Sequence, residues 1–334
     1  MGLSFMSTLL LFAASGFFQA AFAVPVRYFR GWRWEQMWVG QSVTANLLFP
    51  LAWAVFVPAT FWNQAAHLPW SHWLSVYAWG LVWGFGGVAW GLTMTRLGLA
   101  FANSFVFGVT TITGTLLPLA MKAVDSPPHP WLFALGLAVC VIAIVAVGVL
   151  TRHGRQDPLL PMPAGLHSYP AILGVALFAG IASAGYGLAF TFAFPAVRGL
   201  IAGGASELSA TLAVVLPAYL GAACVSIPVG AIVAVRSRSL SLLFDKHAAW
   251  NWSLALIMGL CAAATALLYG YAGSGEGHPS PNVSFGVFIS FLVLGGNLLG
   301  LAGGEMRGAS RAARTGLLLS ACGLVAGAFL LTAR

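Results

Sequence analysis

About ten stretches of this chain run for some 20 residues with almost no charge, and each is long enough to cross the hydrocarbon core of a bilayer. In lipid only helices and closed barrels satisfy their own backbone, and continuous apolar runs of this length specify helices. The sequence is therefore expected to form an all-α integral membrane protein with about ten transmembrane helices. The candidate spans are 4–26, 37–58, 73–95, 99–121, 131–151, 170–194, 209–235, 250–272, 284–304 and 315–333. The longest polar stretches are 152–168, broken by Pro158, Pro161 and Pro163, and 236–249, so the chain has no room for a nucleotide-binding domain. With 60% of residues hydrophobic and 7% charged, a soluble fold is excluded.

Two near-identical heptapeptides, Gly114-Thr-Leu-Leu-Pro-Leu-Ala120 and Gly296-Asn-Leu-Leu-Gly-Leu-Ala302, fall in the fourth and ninth spans. An odd number of crossings separates them, so the copies run in opposite directions through the membrane. A second pair agrees: the first span ends Ala23-Val-Pro25-Val-Arg27 and the sixth ends Ala193-Phe-Pro195-Ala-Val-Arg198. Secondary transporters use such inverted repeats to expose one midplane site alternately to each side. The organisation read from this is a first five-helix repeat over 1–151, a cytoplasmic linker over 152–169 and a second five-helix repeat over 170–334.

The net charge of +8 is explained by topology rather than by an anionic partner. Arg27, Arg30, Arg33, Arg96, Arg152, Arg155, Arg236, Arg238, Lys246, Arg307, Arg311 and Arg314 follow odd-numbered spans, whereas only Lys122, Arg198 and Arg334 lie on the other side. This bias places the basic loops in the cytoplasm and both termini outside. Ala21-Phe22-Ala23 looks like a signal-peptidase site, but the positive charge follows the apolar run instead of preceding it, so the first helix is expected to stay uncleaved. Cys140, Cys224, Cys261 and Cys322 lie in apolar spans without paired spacing, which suggests packing residues rather than disulfides or a metal site.

Uncharged polar residues on one helix face are the candidates for a cavity wall, because an amide in lipid must find a partner or line a cavity. Span one offers Ser15 and Gln19, span two Ser42 and Asn46, span four Asn103, Thr110 and Gly114, and span nine Gly286, Ser290 and Asn297. Taken singly, each is also a candidate for hydrogen-bonded glue between helices. Gly80 with Gly84, Gly87 with Gly91, and Gly296 with Gly300 and Gly304 read as ridges for close helix packing. Trp32, Trp34, Trp38, Trp62, Trp70, Trp73, Trp131 and Trp250 lie near span ends, where amphipathic rings favour the interface. Trp53, Trp79, Trp83 and Trp90 lie deeper, and Trp90 is the first choice to stack on the apolar face of a sugar. No acid or base falls at mid-bilayer; Glu35, opening span two, and Glu305, ending span nine, are the candidate proton sites.

Several motifs resemble those of the L-rhamnose-proton symporter family within the drug/metabolite transporter superfamily. They are Trp32-Arg-Trp34-Glu35-Gln-Met37-Trp38 with Pro50 and Pro58, Trp83-Gly84-Phe-Gly86, Gly91-Leu-Thr93-Met94-Thr-Arg96-Leu-Gly98, Gly114-Thr115-Leu116, Thr151-Arg152-His-Gly154 and Leu216-Pro217-Ala-Tyr219. The resemblance covers nearly the whole chain and is more specific in the first half. It implies a ten-helix bundle that imports a deoxy sugar with protons across a bacterial inner membrane. Gly87, Phe194 and the small run Ala262-Ala263-Ala264-Thr265 depart from the family pattern, where more polar residues are expected, and leave open another sugar or a less polar solute.

The resulting expectation is a secondary active transporter, not an enzyme. It would carry L-rhamnose or a related neutral sugar by proton-coupled alternating access, with the bilayer as its environment and no nucleic acid, metal or cofactor. Gln19, Asn46, Asn103, Thr110, Ser290 and Asn297 would hydrogen-bond the solute beside Trp90. An exporter or uncoupled carrier of a less polar solute is the alternative, and a membrane-embedded enzyme a remote one. His67 and His72 flank Leu68-Pro69-Trp70 and read as solvated loop histidines rather than metal ligands.

Overall fold

The computed structural model describes residues 5–123, 129–150, 168–274, 281–304 and 311–331, whose regular structure is all helical and contains no strand. Glu305 and the linker residues 152–167 lie outside the described residues. The first helix, α1 (Phe5–Ala21), leads through a 3₁₀ turn to α2 (Trp34–Ser42), which continues through a π-helical turn (Val43–Leu48) into α3 (Phe49–Phe56). A short α4 (Ala59–Ala65) precedes α5 (Trp70–Leu97), α6 (Leu99–Ala120) and α7 (Pro130–Leu150). The remainder is α8 (Tyr169–Ala202), α9 (Glu207–Arg236), α10 (Ala248–Ser274), α11 (Pro281–Ala302) and α12 (Arg311–Leu331).

Among the described residues, seven segments are long and apolar enough to cross a membrane: Met6–Tyr28, Trp34–Phe56, Phe101–Ala120, Tyr169–Ala202, Glu207–Arg236, Ala248–Gly273 and Ser284–Ala302. At the other three expected positions, α5 runs 28 residues, while α7 and α12 hold shorter apolar stretches, Pro130–Ala146 and Arg314–Gly327. The chain is a multi-pass membrane protein. Its sixth expected span does not stop at Pro195, because α8 carries on to Ala202. Membrane helices absorb a proline where neighbouring helices re-satisfy the freed backbone.

The packing order is regular. α5 lies between α8 and α9; α1 lies between α10 and α11; α6 packs on α8 and α11; α7 pairs with α12; α2 and its π turn lie against α9 and α10. Glycine sets the closest of these approaches. A Cβ at Gly80 would overlap the Ala218 carbonyl, one at Gly84 would come 2.9 Å from the Ala218-proximal turn at Ala222 Cα, and one at Gly221 would overlap the Tyr77 carbonyl. Gly80 and Gly84 thus form the close-packing ridge read from the sequence, whereas Gly87 and Gly91 face the Trp38 indole rather than a helix backbone.

His72 is a correction. It is buried in the first turn of α5 and its Nε2 donates to the Ala213 carbonyl at 3.2 Å. Pro217, four residues after Ala213, has no N–H to give that carbonyl, so the histidine takes the place of the missing helix bond. Trp32, Trp34 and Trp38 pack inside the protein, being 2%, 1% and 3% exposed.

Candidate functional site

The helices surround a cavity whose empty space, open mouth included, is about 770 Å³. Its wall comes from α1, α2 with the π turn, α5, α6 and α8 to α11. Aromatic rings dominate, among them Trp38, Trp83, Trp90, Tyr186, Tyr219 and Phe288, and the polar groups are Gln19, Gln41, Asn46, Thr110, Ser183 and Ser226. The lining residues include no acid and no base. A charged solute would sit here without compensation, whereas a neutral one with an apolar face and hydroxyls suits rings interspersed with amides.

Asn46 owes its position to the π turn. Pro50 has no N–H for the Asn46 carbonyl and its ring crowds that carbonyl, so the helix widens and Phe49 N–H bonds back to Thr44 instead. Thr44 Oγ1 donates to the Ala255 carbonyl at 2.7 Å and fastens the turn to α10. Gln19 and Asn46 therefore reach the cavity as the sequence suggested, and so does Trp90.

Trp90 is held from behind. Its Nε1 donates to Asn103 Oδ1 at 3.2 Å, and its ring leans on Phe22 and Phe107, each with a centroid separation of 6.0 Å. Asn103 is fully buried outside the cavity wall and packs where a Cβ on Gly296 would overlap it. Asn103 is thus a support for the indole rather than a wall residue, and Gly296 makes room for it.

The other polar positions of that stripe turn away as well. Thr110 touches the cavity, but its hydroxyl is shared between the Val106 and Gly180 carbonyls, both at 2.9 Å, so it joins α6 to α8. Ser290 donates to Gly286 of its own helix at 2.7 Å, and Asn297 Oδ1 accepts from Ser104 at 3.0 Å. Ser290 and Asn297 lie outside the wall, because α6 and α11 use this stripe to pack on each other.

Glu35 also lies outside the wall, at the start of α2, and is completely buried. Its Oε1 accepts from Ser237 at 2.8 Å and Ser239 at 2.7 Å and lies 3.3 Å from Arg33 Nε, while Oε2 has no hydrogen-bond partner. Around it, Gln36 Nε2 donates to the Ser239 carbonyl, Trp32 Nε1 to Leu242, and Asn251 exchanges two bonds with the Arg30 backbone. This end of the bundle is stitched between the segment before α2 and the segment after α9. At the opposite end, Gln64 of α4 donates to Gly203 at the α8–α9 turn.

The sequence reading missed Trp38, Gln41, Ser183, Ser226 and the two tyrosines, Tyr186 and Tyr219. Trp38 had a detectable signal in the Gly87 and Gly91 pair, since glycines one turn apart leave a slot that an indole can fill. Tyr186 had one in its flanking Gly185 and Gly187, which let α5 and α11 approach its ring. The departures at Gly87 and Ala262 line the cavity and widen it, whereas Phe194 packs on Phe190 outside the wall.

A membrane bundle closed around an uncharged, aromatic cavity is the architecture of a small-molecule carrier. The chain belongs to the L-rhamnose-proton symport protein family, whose model matches residues 4–332. It is a transporter rather than an enzyme. It is 28% identical to an L-rhamnose-proton symporter of Salmonella dublin over 303 residues, 87% of each chain, and 27% identical to one of Escherichia coli O1:K1 / APEC over the same length. A solved crystal structure shares the fold over 98% of both chains, with a TM-score of 0.56 at 14% identity.

Proposed function

We propose that this protein carries L-rhamnose or a closely related neutral deoxy sugar together with protons across a bacterial inner membrane. The observation that carries this reading is the uncharged cavity in a chain of this family, where Trp90 offers a stacking face and Gln19, Gln41 and Asn46 offer amides. The methyl group and ring C–H face of a deoxy sugar suit the aromatic wall, and its hydroxyls suit the amides.

Ten spans in two inverted repeats, 1–151 and 170–334, joined by a cytoplasmic linker with both termini outside, are part of the same proposal. Two contacts support the repeat. Gly114 faces Phe285, whose ring a Cβ there would approach to 2.6 Å, and Gly296 faces Asn103; the glycines and their partners are offset alike, each by 182 positions. The packing order supports it too, since exchanging the first five spans for the last five turns the α5–α8 pair into α10–α1 and the α6–α8 pair into α11–α1. Alternating access would then proceed by unfastening one end of the bundle as the other closes.

Radiolabelled L-rhamnose uptake by proteoliposomes, with and without an inward proton gradient, tests the reading. Gradient-driven accumulation is expected, and no uptake under either condition would overturn the assigned substrate. Asn103→Ala is expected to raise KM several-fold by loosening Trp90, and to lower stability by about 1 kcal/mol for the unpaired indole N–H. Unchanged KM and melting temperature would remove Asn103 from the support of the site.

A further inference from the structure

Tyr186 is 6% exposed, and its hydroxyl has no hydrogen-bond partner in the protein. It faces the hydroxyl of Tyr219, with ring centroids 6.4 Å apart, but short of hydrogen-bond geometry. Both tyrosines line the cavity. A buried hydroxyl left unpaired is costly, and where nothing in the fold explains it, a ligand is a physical reason for it.

The ring cannot swing aside to find a partner. Trp83 lies 4.9 Å away, Phe190 5.0 Å, Tyr269 5.8 Å and Phe288 6.1 Å, all as centroid separations. The backbone is fixed as well, because a Cβ on Gly185 would come 2.7 Å from the Trp79 carbonyl and one on Gly187 would come 2.9 Å from the Phe285 ring. Helix and ring together hold the phenol in one place, as a recognition group requires. Ser183, one turn back on the same face of α8, also lines the cavity.

We propose that Tyr186, acting with Tyr219, determines specificity by hydrogen-bonding one ring hydroxyl of the transported sugar. The pair suits an alcohol: a phenol both donates and accepts, and the aromatic surroundings offer no counter-charge to an ion. A sugar hydroxyl seated at Tyr219 and reaching Tyr186 supplies the partner that the fold withholds. A solute lacking that hydroxyl leaves the phenol unpaired, and sites of this kind reject such analogues strongly. This inference rests on the sugar-carrier reading above.

The test is equilibrium binding of L-rhamnose, and of a set of analogues each lacking one ring hydroxyl, to purified protein in nanodiscs. The wild type is expected to bind one analogue in the set tenfold or more weakly than L-rhamnose. Tyr186→Phe is expected to bind that analogue and L-rhamnose equally, to keep the wild-type ratios for the others, and to melt no lower than the wild type without sugar. A Tyr186→Phe protein that keeps the whole wild-type discrimination profile overturns the role of Tyr186 alone. One that melts lower and weakens for every analogue alike also overturns it, in favour of a structural role. A wild type that binds no L-rhamnose overturns the sugar-carrier reading and this inference with it.

Discussion

Replacing Glu35 with Gln is expected to abolish uphill accumulation of sugar while leaving sugar-for-sugar exchange in place. The carboxylate is fully buried, with the Ser237 and Ser239 hydroxyls donating to Oε1, Arg33 Nε 3.3 Å from the same oxygen as an ion pair, and no hydrogen bond on Oε2. Oε2 is therefore the atom with room in its bonding for a proton. Protonation would neutralise the partner of Arg33 and weaken the bonds from Ser237 and Ser239, which join the start of α2 to the end of α9. A proton taken up here would thus loosen the fastening at one end of the bundle, which is the coupling that a symporter needs. Gln keeps the acceptor for both serines and removes the carboxylate. In proteoliposomes a gradient of one pH unit is worth about 1.4 kcal/mol, enough to hold sugar about tenfold above the outside concentration. For Glu35→Gln the ratio should fall to about one, with counterflow retained. Accumulation at the wild-type ratio would show that the proton is carried elsewhere.

Gly80→Val is expected to be strongly damaging to the bundle. A Cβ at Gly80 meets the Ala218 backbone carbonyl, and a backbone cannot give way as the tip of a flexible side chain can. The contact is reciprocal, since Gly221 of α9 meets the Tyr77 carbonyl of α5. Forcing α5 and α9 apart would also displace Trp83 and Tyr219, whose rings lie 4.9 Å apart in the cavity wall. The cost is expected to be roughly 3 kcal/mol or more, at the upper end for overpacking. Gly174 on α8 provides the contrast, because a Cβ there meets nothing within 4 Å. Gly174→Ala should be neutral or stabilising by up to about 1 kcal/mol, since the unfolded chain loses freedom and the helix gains propensity. Melting of the two variants in detergent, followed with transport, separates them; a Gly80→Val protein as stable as Gly174→Ala would mean that the α5–α9 contact is looser than its geometry.

The membrane class, the helix positions and the Gly80–Gly84 ridge were legible in the sequence, and so was a resemblance to the family to which the chain belongs. Part of the cavity wall was legible too, through Gln19, Asn46 and Trp90. The stripe of Asn103, Thr110, Ser290 and Asn297 had the same spacing, but the two amide oxygens and the two hydroxyls are engaged with other helices or with their own, and only the Nδ2 atoms of Asn103 and Asn297 are left without a partner. Periodicity identifies a polar face; it does not say whether a cavity or another helix lies opposite. Glu35 was recognisable as the acid opening α2, yet its serine partners lie some 200 residues away in sequence, and their approach could not be read from spacing.

Hydropathy is a local property, and crossing a bilayer is decided within each segment, because every backbone group in lipid must bond inside its own helix. The sequence by itself therefore determined that the chain is a membrane protein and where its helices run. Which side chains meet at the centre depends on how the helices pack, and that is set by contacts between distant residues: Gly80 on Ala218, Gly296 on Asn103, Thr44 on Ala255. Only the tertiary structure decided that Trp38, Tyr186 and Tyr219 face the cavity and that Asn103 stands behind Trp90.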